Sequence, residues 1–305
     1  MAGDMSLGEY STRSRRDPTP DTIGAAVAAA AHLDAGGRGR LHAPPPLQSW
    51  PGIVHGGGLV ALLDAAASAL GGGPGPRVVE GRLTSSIPID TAVGLEGEAS
   101  GGEVRLTVRH EGQVLTTASV GAPEPGDGRS ARAWPGGEEG WPMPMSEHCL
   151  ACGALNPLGL RASLRFDEDG VWTRIAPRPE WRARSGRLHP AFAPVLLDEI
   201  AWWLGALLMK EGGLTNRIRV AFAAPEPPWG VPLVASGRFD AMSPVDRKRT
   251  FWRTESALAT ADGAPVATAS IVFRGGAEYS TRQMGYFRSR TPPDVFRRMF
   301  PNHAV

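Results

Sequence analysis

Cysteine is almost missing from this chain: only Cys149 and Cys152 occur among 305 residues. A disulfide framework is thereby excluded, and nothing implies an oxidising compartment. Charge of one sign is equally scarce, since 32 Lys and Arg against 31 Asp and Glu leave a formal charge of +1. That balance gives no electrostatic footprint for nucleic acid or an anionic membrane. No apolar run reaches the 18 or so residues that a membrane span needs; the best candidates are broken by His32, Asp64 or Asp198. Near the N-terminus, Arg13, Arg15 and Arg16 stand without a following apolar segment, so no secretory leader is read there. These absences lead to the expectation of a cytoplasmic protein with no nucleic-acid or membrane partner.

What is present is a globular composition, 42% hydrophobic and 21% charged, at about twice a common domain length. It is also internally repeated. Pro45, Gly52, His55 and Asp64 recur 134 residues later as Pro179, Gly186, His189 and Asp198. Gly112 with Thr117-Ala118-Ser119-Val120 recurs 151 residues later as Gly263 with Thr268-Ala269-Ser270-Ile271. Matches in the same order, around similar elements, point to duplication, and the drift in offset places longer loops in the second copy.

Each copy reads alike. A Pro-rich approach leads into an apolar helix, residues 58–70 in the first copy and 193–208 in the second, and strands follow. Strands are expected over 78–89, 95–98, 103–109 and 114–120, then over 218–223, 233–239, 250–259 and 265–273, with Glu111-Gly112 and Asp262-Gly263 at hairpins. One helix followed by a meander of strands is an α+β pattern. The expected organisation is a disordered tail over 1–20, a domain over 21–125, a Gly/Pro-rich linker over 126–145 with its boundary near Pro135, a second domain over 146–275, and a loose or surface-wrapping tail over 276–305.

The segment that carries chemistry is Trp50-Pro51-Gly52-Ile53-Val54-His55-Gly56-Gly57-Gly58, followed by apolar residues and then Asp64. Glycines at a helix start let a ligand approach the free backbone N–H groups, where the helix dipole favours negative charge. This segment resembles the His-Gly-Gly helix of hotdog-fold acyl-CoA thioesterases, with an Asp nine residues after the His as in the phenylacetyl-CoA thioesterase branch. Cys149-Leu150-Ala151-Cys152-Gly153, Asn156-Pro157 and Gly159-Leu160 are similar to the opening string of many such domains. The resemblance implies two tandem hotdog domains, each a central helix wrapped by an antiparallel sheet, forming a pseudo-dimer.

Nine helical residues span about 13 Å, so one carbonyl cannot touch both His55 and Asp64. In hotdog dimers, as the resemblance implies, the start of one helix faces the carboxylate of the other. The fused chain is therefore expected to hold two composite sites. The first pairs His55, Gly56 and Gly57 with Asp198, with Gly56 N–H as the oxyanion donor and Thr215 helping to hold water. Gln48 or Ser49 is expected as a second carbonyl donor, and Trp202 as a wall of the acyl pocket. The second pairs Asp64 with His189-Pro190-Ala191, but Pro190 has no N–H to give, and Val78 stands roughly where Thr215 stands in the other copy. That site is expected to be dead or re-purposed.

The implied activity is hydrolysis of an acyl-CoA or acyl-carrier thioester, with Asp198 as general base or nucleophile. Coenzyme A enters as part of the substrate and no other cofactor is implied. A non-catalytic acyl-CoA-binding hotdog protein is the alternative reading. A hydratase would want an Asp and a His together on one loop, and no such loop is seen. A zinc site needs four ligands, and only His148 is near the two thiols in sequence, so no metal is expected. The partner is a small acyl thioester, and a homodimer of the fused unit is compatible with exposed sheet edges.

Overall fold

A computed structural model describes residues 20–304 apart from 50, 74, 126, 128–132, 135, 138 and 224. The expected N-terminal tail, save Pro20, and the expected boundary at Pro135 lie outside the described residues. The first element is a helix that the sequence reading did not foresee: α1, Ile23–Ala30, an alanine-rich turn pair whose Thr22 hydroxyl accepts the Ala25 N–H at 3.2 Å. A short hairpin of β1 (Ala31–Leu33) and β2 (Arg38–His42) follows.

A tight loop then delivers the chain to α2, Gly56–Ala67. Pro45–Leu47 forms a 3-10 turn, Gly52 takes the left-handed conformation at φ 89°, and Gln48 bridges Val54. The helix ends in a further 3-10 turn that Gly71 terminates, again left-handed. Four strands complete the first half: β3 (Arg77–Leu83), β4 (Ala92–Ser100), β5 (Glu103–His110) and β6 (Gln113–Gly121). Their alternating buried residues, such as Val104, Leu106 and Val108, face α2.

The second half repeats the plan. After β7 (Trp141–Pro142), β8 (Arg165–Phe166) and β9 (Gly170–Ile175) come a 3-10 turn at Pro179–Trp181 and left-handed Gly186. Arg182 bridges Leu188 as Gln48 bridges Val54, the same offset that the sequence repeat shows. Then come α3 (Phe192–Met209), β10 (Gly213–Phe222), β11 (Leu233–Arg238), β12 (Ser243–Pro244), β13 (Phe251–Thr260) and β14 (Pro265–Gly275). By length and composition α3 would pass as a membrane span; here most of it is buried among the strands, with Asp198 and Glu199 at its middle.

All strands belong to one antiparallel sheet, ordered β1-β2-β4-β5-β6-β3-β10-β14-β13-β11-β9-β8-β7, with β12 beside β13. The two halves meet at β3 and β10, paired so that Glu80 lies opposite Arg219. Each side of that seam carries the matching strands in mirrored order, and α2 and α3 pack together beneath it. Gly56 meets Asp198 while Asp64 faces His189, so the two helices run in opposite directions. The stretch expected as a C-terminal tail is largely helical: α4, Ala277–Arg288, and α5, Pro293–Met299, bury Met284, Phe287 and Phe296, and Phe300, just past α5, is buried with them.

Candidate active site

Local geometry fixes the first histidine. The 3-10 turn and left-handed Gly52 fold the chain back so that His55 N–H donates to Leu47 C=O at 2.9 Å. His55 then caps α2, its Nδ1 accepting the Gly58 N–H at 3.3 Å. The glycines that follow are needed because α3 presses on the helix start. A Cβ on Gly57 would collide with the Pro194 carbonyl, and one on Gly56 would stand 2.8 Å from Asp198 Oδ2.

Asp198, only 5% exposed, is held from two sides. Its Oδ2 accepts the Gly57 N–H at 2.7 Å, and its Oδ1 accepts the Thr215 hydroxyl at 2.8 Å. His55 Nδ1 lies 3.4 Å from Oδ2. Thr215 reaches this position through a bulge in β10 at 215–217 against β14, which turns the side chain toward α3. Burial is the largest influence on Asp198 and raises its pKa from the ordinary aspartate value, against the lowering pull of His55, Thr215 and Gly57.

Sequence reading did not anticipate Glu199. Its Oε1 accepts the Trp203 indole N–H at 3.1 Å, and its Oε2 lies 3.5 Å from His55 Nε2 and 3.7 Å from Cys149 Sγ. Burial pushes the Glu199 pKa up, but contacts with His55, Cys152 and Trp203 leave it lowered. For His55 burial disfavours the charge, yet Cys149, Glu199 and Asp198 together carry its pKa well above the ordinary value. A hydrogen bond from Cys152, then His55, brings the Cys149 thiol down to about 7, whereas the Cys152 thiol, hydrogen-bonded to Cys149 and buried, is pushed well up. The signal for Glu199 was in the sequence: two successive carboxylates inside an apolar helix.

These groups line a cavity of about 160 Å³. Ser49, His55, Gly56, Asp198, Trp202 and Thr215 all border it. The chain 83–87 and the α4 residues Tyr279, Tyr286 and Phe287 supply further wall. Trp202 also packs edge-on against Trp203 and Phe273. Gln48 is not on the lining; its side chain accepts the Gly52 N–H at 3.3 Å and so serves the loop. The amide that meets Asp198 is that of Gly57 rather than Gly56.

The second composite site is built differently. Asp64 accepts two hydrogen bonds from Arg77, at 2.9 Å to Oδ1 and 2.7 Å to Oδ2, and Glu226 lies 3.6 Å from the same guanidinium. Strand register shows why. Val78 pairs with Gly121 as Arg217 pairs with Val272, and the β10 bulge skips Asn216, so Arg77 rather than Val78 matches Thr215. Where one copy offers a hydroxyl, the other offers a cation. His189 N–H donates to Trp181 C=O at 2.8 Å, repeating His55, but α3 begins only at Phe192. Against His189 packs Gly24 of α1, and burial holds the ring's pKa down to about 4. The structure therefore ties Asp64 to an arginine and covers its histidine with a helix.

The Cys149–Leu160 segment binds the halves together. Asn156 Nδ2 donates to Pro46 C=O at 2.9 Å and to His148 C=O at 2.8 Å, and Leu150 N–H donates to Gln48 C=O at 2.7 Å. Among the described residues the three side chains of metal-binding type that converge here are His55, Cys149 and Glu199, and His148, the sequence neighbour of the thiols, is not one of them.

No protein-family model matches the sequence, and no curated protein matches it. Solved structures do. A conserved protein of unknown function with a hot dog fold from Alicyclobacillus acidocaldarius is 15% identical over 83% of this chain and 98% of its own, with a TM-score of 0.55. The acyl-CoA thioesterase II TesB2 from Mycobacterium marinum is 12% identical over 82% and 97%, with a TM-score of 0.52. The dehydratase domain of RzxB from Pseudomonas fluorescens is 18% identical over 79% and 96%, with a TM-score of 0.53. Likeness at such identities establishes the fold alone: a double hotdog of the α+β class, in one chain.

Proposed function

We propose that this chain hydrolyses an acyl thioester, carried by coenzyme A or an acyl carrier, at the composite site between α2 and α3. The observation that carries the reading is Asp198, oriented by the Gly57 N–H and Thr215 hydroxyl from opposite halves, at a helix start that borders a cavity with aromatic walls. The thioester oxygen would sit at the Gly56 end of α2, where backbone N–H groups and the helix dipole stabilise a developing oxyanion, worth on the order of 3 kcal/mol per donor. Asp198 would take the proton from a water that Thr215 helps to place. Trp202 and the α4 aromatics would hold the acyl chain, and the aromatic lining suits the finer reading of a phenylacetyl-CoA thioesterase-like enzyme. Several of the matched structures are named thioesterases, which supports this chemistry over the dehydration of another.

The test is a hydrolysis screen over short, long and aromatic acyl-CoAs. Asp198→Asn is expected to lower kcat by roughly 10²- to 10⁴-fold, whereas Asp64→Asn, whose parent side chain is occupied by Arg77, leaves turnover in place. A protein that binds acyl-CoA at this cavity and turns none over would replace the enzyme with a ligand-binding module. Loss of turnover in Asp64→Asn but not Asp198→Asn would place the chemistry at the other site.

A further inference from the structure

Three side chains of different type converge at the floor of the cavity from three separate parts of the fold. His55 stands at the start of α2, Cys149 in the segment that opens the second half, and Glu199 on α3. Their donor atoms lie within 4.8 Å of one another; His55 and Cys149 are buried and Glu199 is partly buried. Two of the separations are 3.5 Å (His55 Nε2 to Glu199 Oε2) and 3.7 Å (Cys149 Sγ to Glu199 Oε2). Four-coordinate zinc, with bonds of about 2.0–2.3 Å to nitrogen, oxygen and sulfur, sets its ligand atoms about 3.5 Å apart along each tetrahedral edge. The measured edges fit that figure with little movement.

We propose that His55 Nε2, Cys149 Sγ and Glu199 Oε2 form a zinc site, with the fourth position facing the cavity. The supporting contacts are those that metal ligands usually have. Trp203 N–H fixes the remaining Glu199 oxygen at 3.1 Å, and the Ala151 N–H donates to Cys149 Sγ at 3.3 Å. Asp198 Oδ2, 3.4 Å from His55 Nδ1, stands ready to accept the proton that the ring carries on Nδ1 once Nε2 holds a metal; the 3.3 Å Gly58 contact is then given up. Binding releases the Cys149 thiol proton and the Nε2 proton of the charged His55 ring to solvent and leaves a thiolate beside a carboxylate, charges that a divalent cation offsets. A thiolate, an imidazole and a carboxylate suit zinc rather than calcium or magnesium. An ion here would also tie α2, α3 and the Cys149 segment into one unit. The assignment goes beyond thioester hydrolysis and does not depend on it.

Metal content tests it without reference to turnover. The full chain, purified under reducing conditions, incubated with zinc and desalted, is expected to retain stoichiometric zinc by mass spectrometry. Cys149→Ser and the near-isosteric Glu199→Gln are expected to retain roughly tenfold less or lower, and Cys152→Ser to retain it. Replacing zinc by cobalt is expected to give a thiolate-to-cobalt charge-transfer band that Cys149→Ser removes and Cys152→Ser keeps. Circular dichroism establishes that each variant is folded; if Cys149→Ser is not, Glu199→Gln carries the comparison. Wild-type protein that holds no more zinc than folded Glu199→Gln overturns the site, and so does a Cys152→Ser variant that loses zinc as fully as Cys149→Ser.

Discussion

At the scale of single residues, the two aspartates of the repeat show how little separates a poised carboxylate from an occupied one. Asp198 accepts from a hydroxyl, and Asp64 from a guanidinium at the matching strand position. Replacing Thr215 by Val removes a hydrogen bond to a charged group, worth about 1.5–3 kcal/mol, so steady-state kinetics on the best acyl-CoA should show kcat reduced about 10- to 100-fold. His189 yields a prediction about pH. Its pKa is about 4 in the folded chain against an ordinary 6.5, with burial as the main cause. The unfolded chain therefore takes up a proton that the folded one refuses between those values. Above about pH 6.5 the ring is neutral in both states and makes no difference; as the pH falls toward 4 the proton taken up only by the unfolded chain lowers the stability of the fold by on the order of 3 kcal/mol in all. Urea unfolding followed from pH 7.5 to 4.5 should show that decline, and His189→Gln should flatten it. The resemblance carried by the His-Gly-Gly segment pointed to His55, Asp198 and Thr215 as neighbours, and the structure brings the three together. The sequence hid Arg77, because one bulge at 215–217 shifts the correspondence between copies by a residue.

At the scale of elements, the strands β3–β6, β10, β11, β13 and β14 and the two central helices were legible, since apolar alternation and Gly-containing turns mark them directly, whereas β1, β2, β7, β8, β9 and β12 were not read. The helices α1 and α4 were not. An eight-residue alanine-rich helix has no long period to display, and its only cue was Thr22 as a cap. The buried face of α4 is Ser280, Gln283, Met284 and Phe287, a helical spacing half of which is polar and so invisible to a hydrophobic pattern. Gln283 accounts for that polarity: it accepts the Gly213 N–H at 2.9 Å and donates to Gly213 C=O at 3.1 Å, satisfying the first residue of β10. Gln283→Leu would leave the buried Gly213 N–H without that partner, at about 1–3 kcal/mol, while the Gly213 carbonyl keeps the Trp202 indole N–H at 3.0 Å. The midpoint of chemical denaturation should fall accordingly. Because α4 also forms cavity wall through Tyr279, Tyr286 and Phe287, the same variant should broaden acyl-chain preference in a substrate screen.

At the scale of the whole molecule, the seam between β3 and β10 lies where a symmetric dimer would have its axis. A residue on such an axis faces its own copy, and a charge there would repel itself. Here Glu80 faces Arg219, joined at 2.9 Å, with Arg217 also bonded to Glu80 and Asp127 accepting from Arg219 at 2.9 Å. The pairing is partly exposed and modest in strength. Arg219→Glu should therefore cost about 1 kcal/mol, more than Arg219→Met, in equilibrium unfolding.

When two identical chains build such a molecule, every substitution is written into both clefts at once. Here the clefts are spelled by different stretches of one polypeptide, so each is free to change alone. An arginine can silence one aspartate and a helix can stop the mouth beside it, while the other aspartate keeps its hydroxyl and its room.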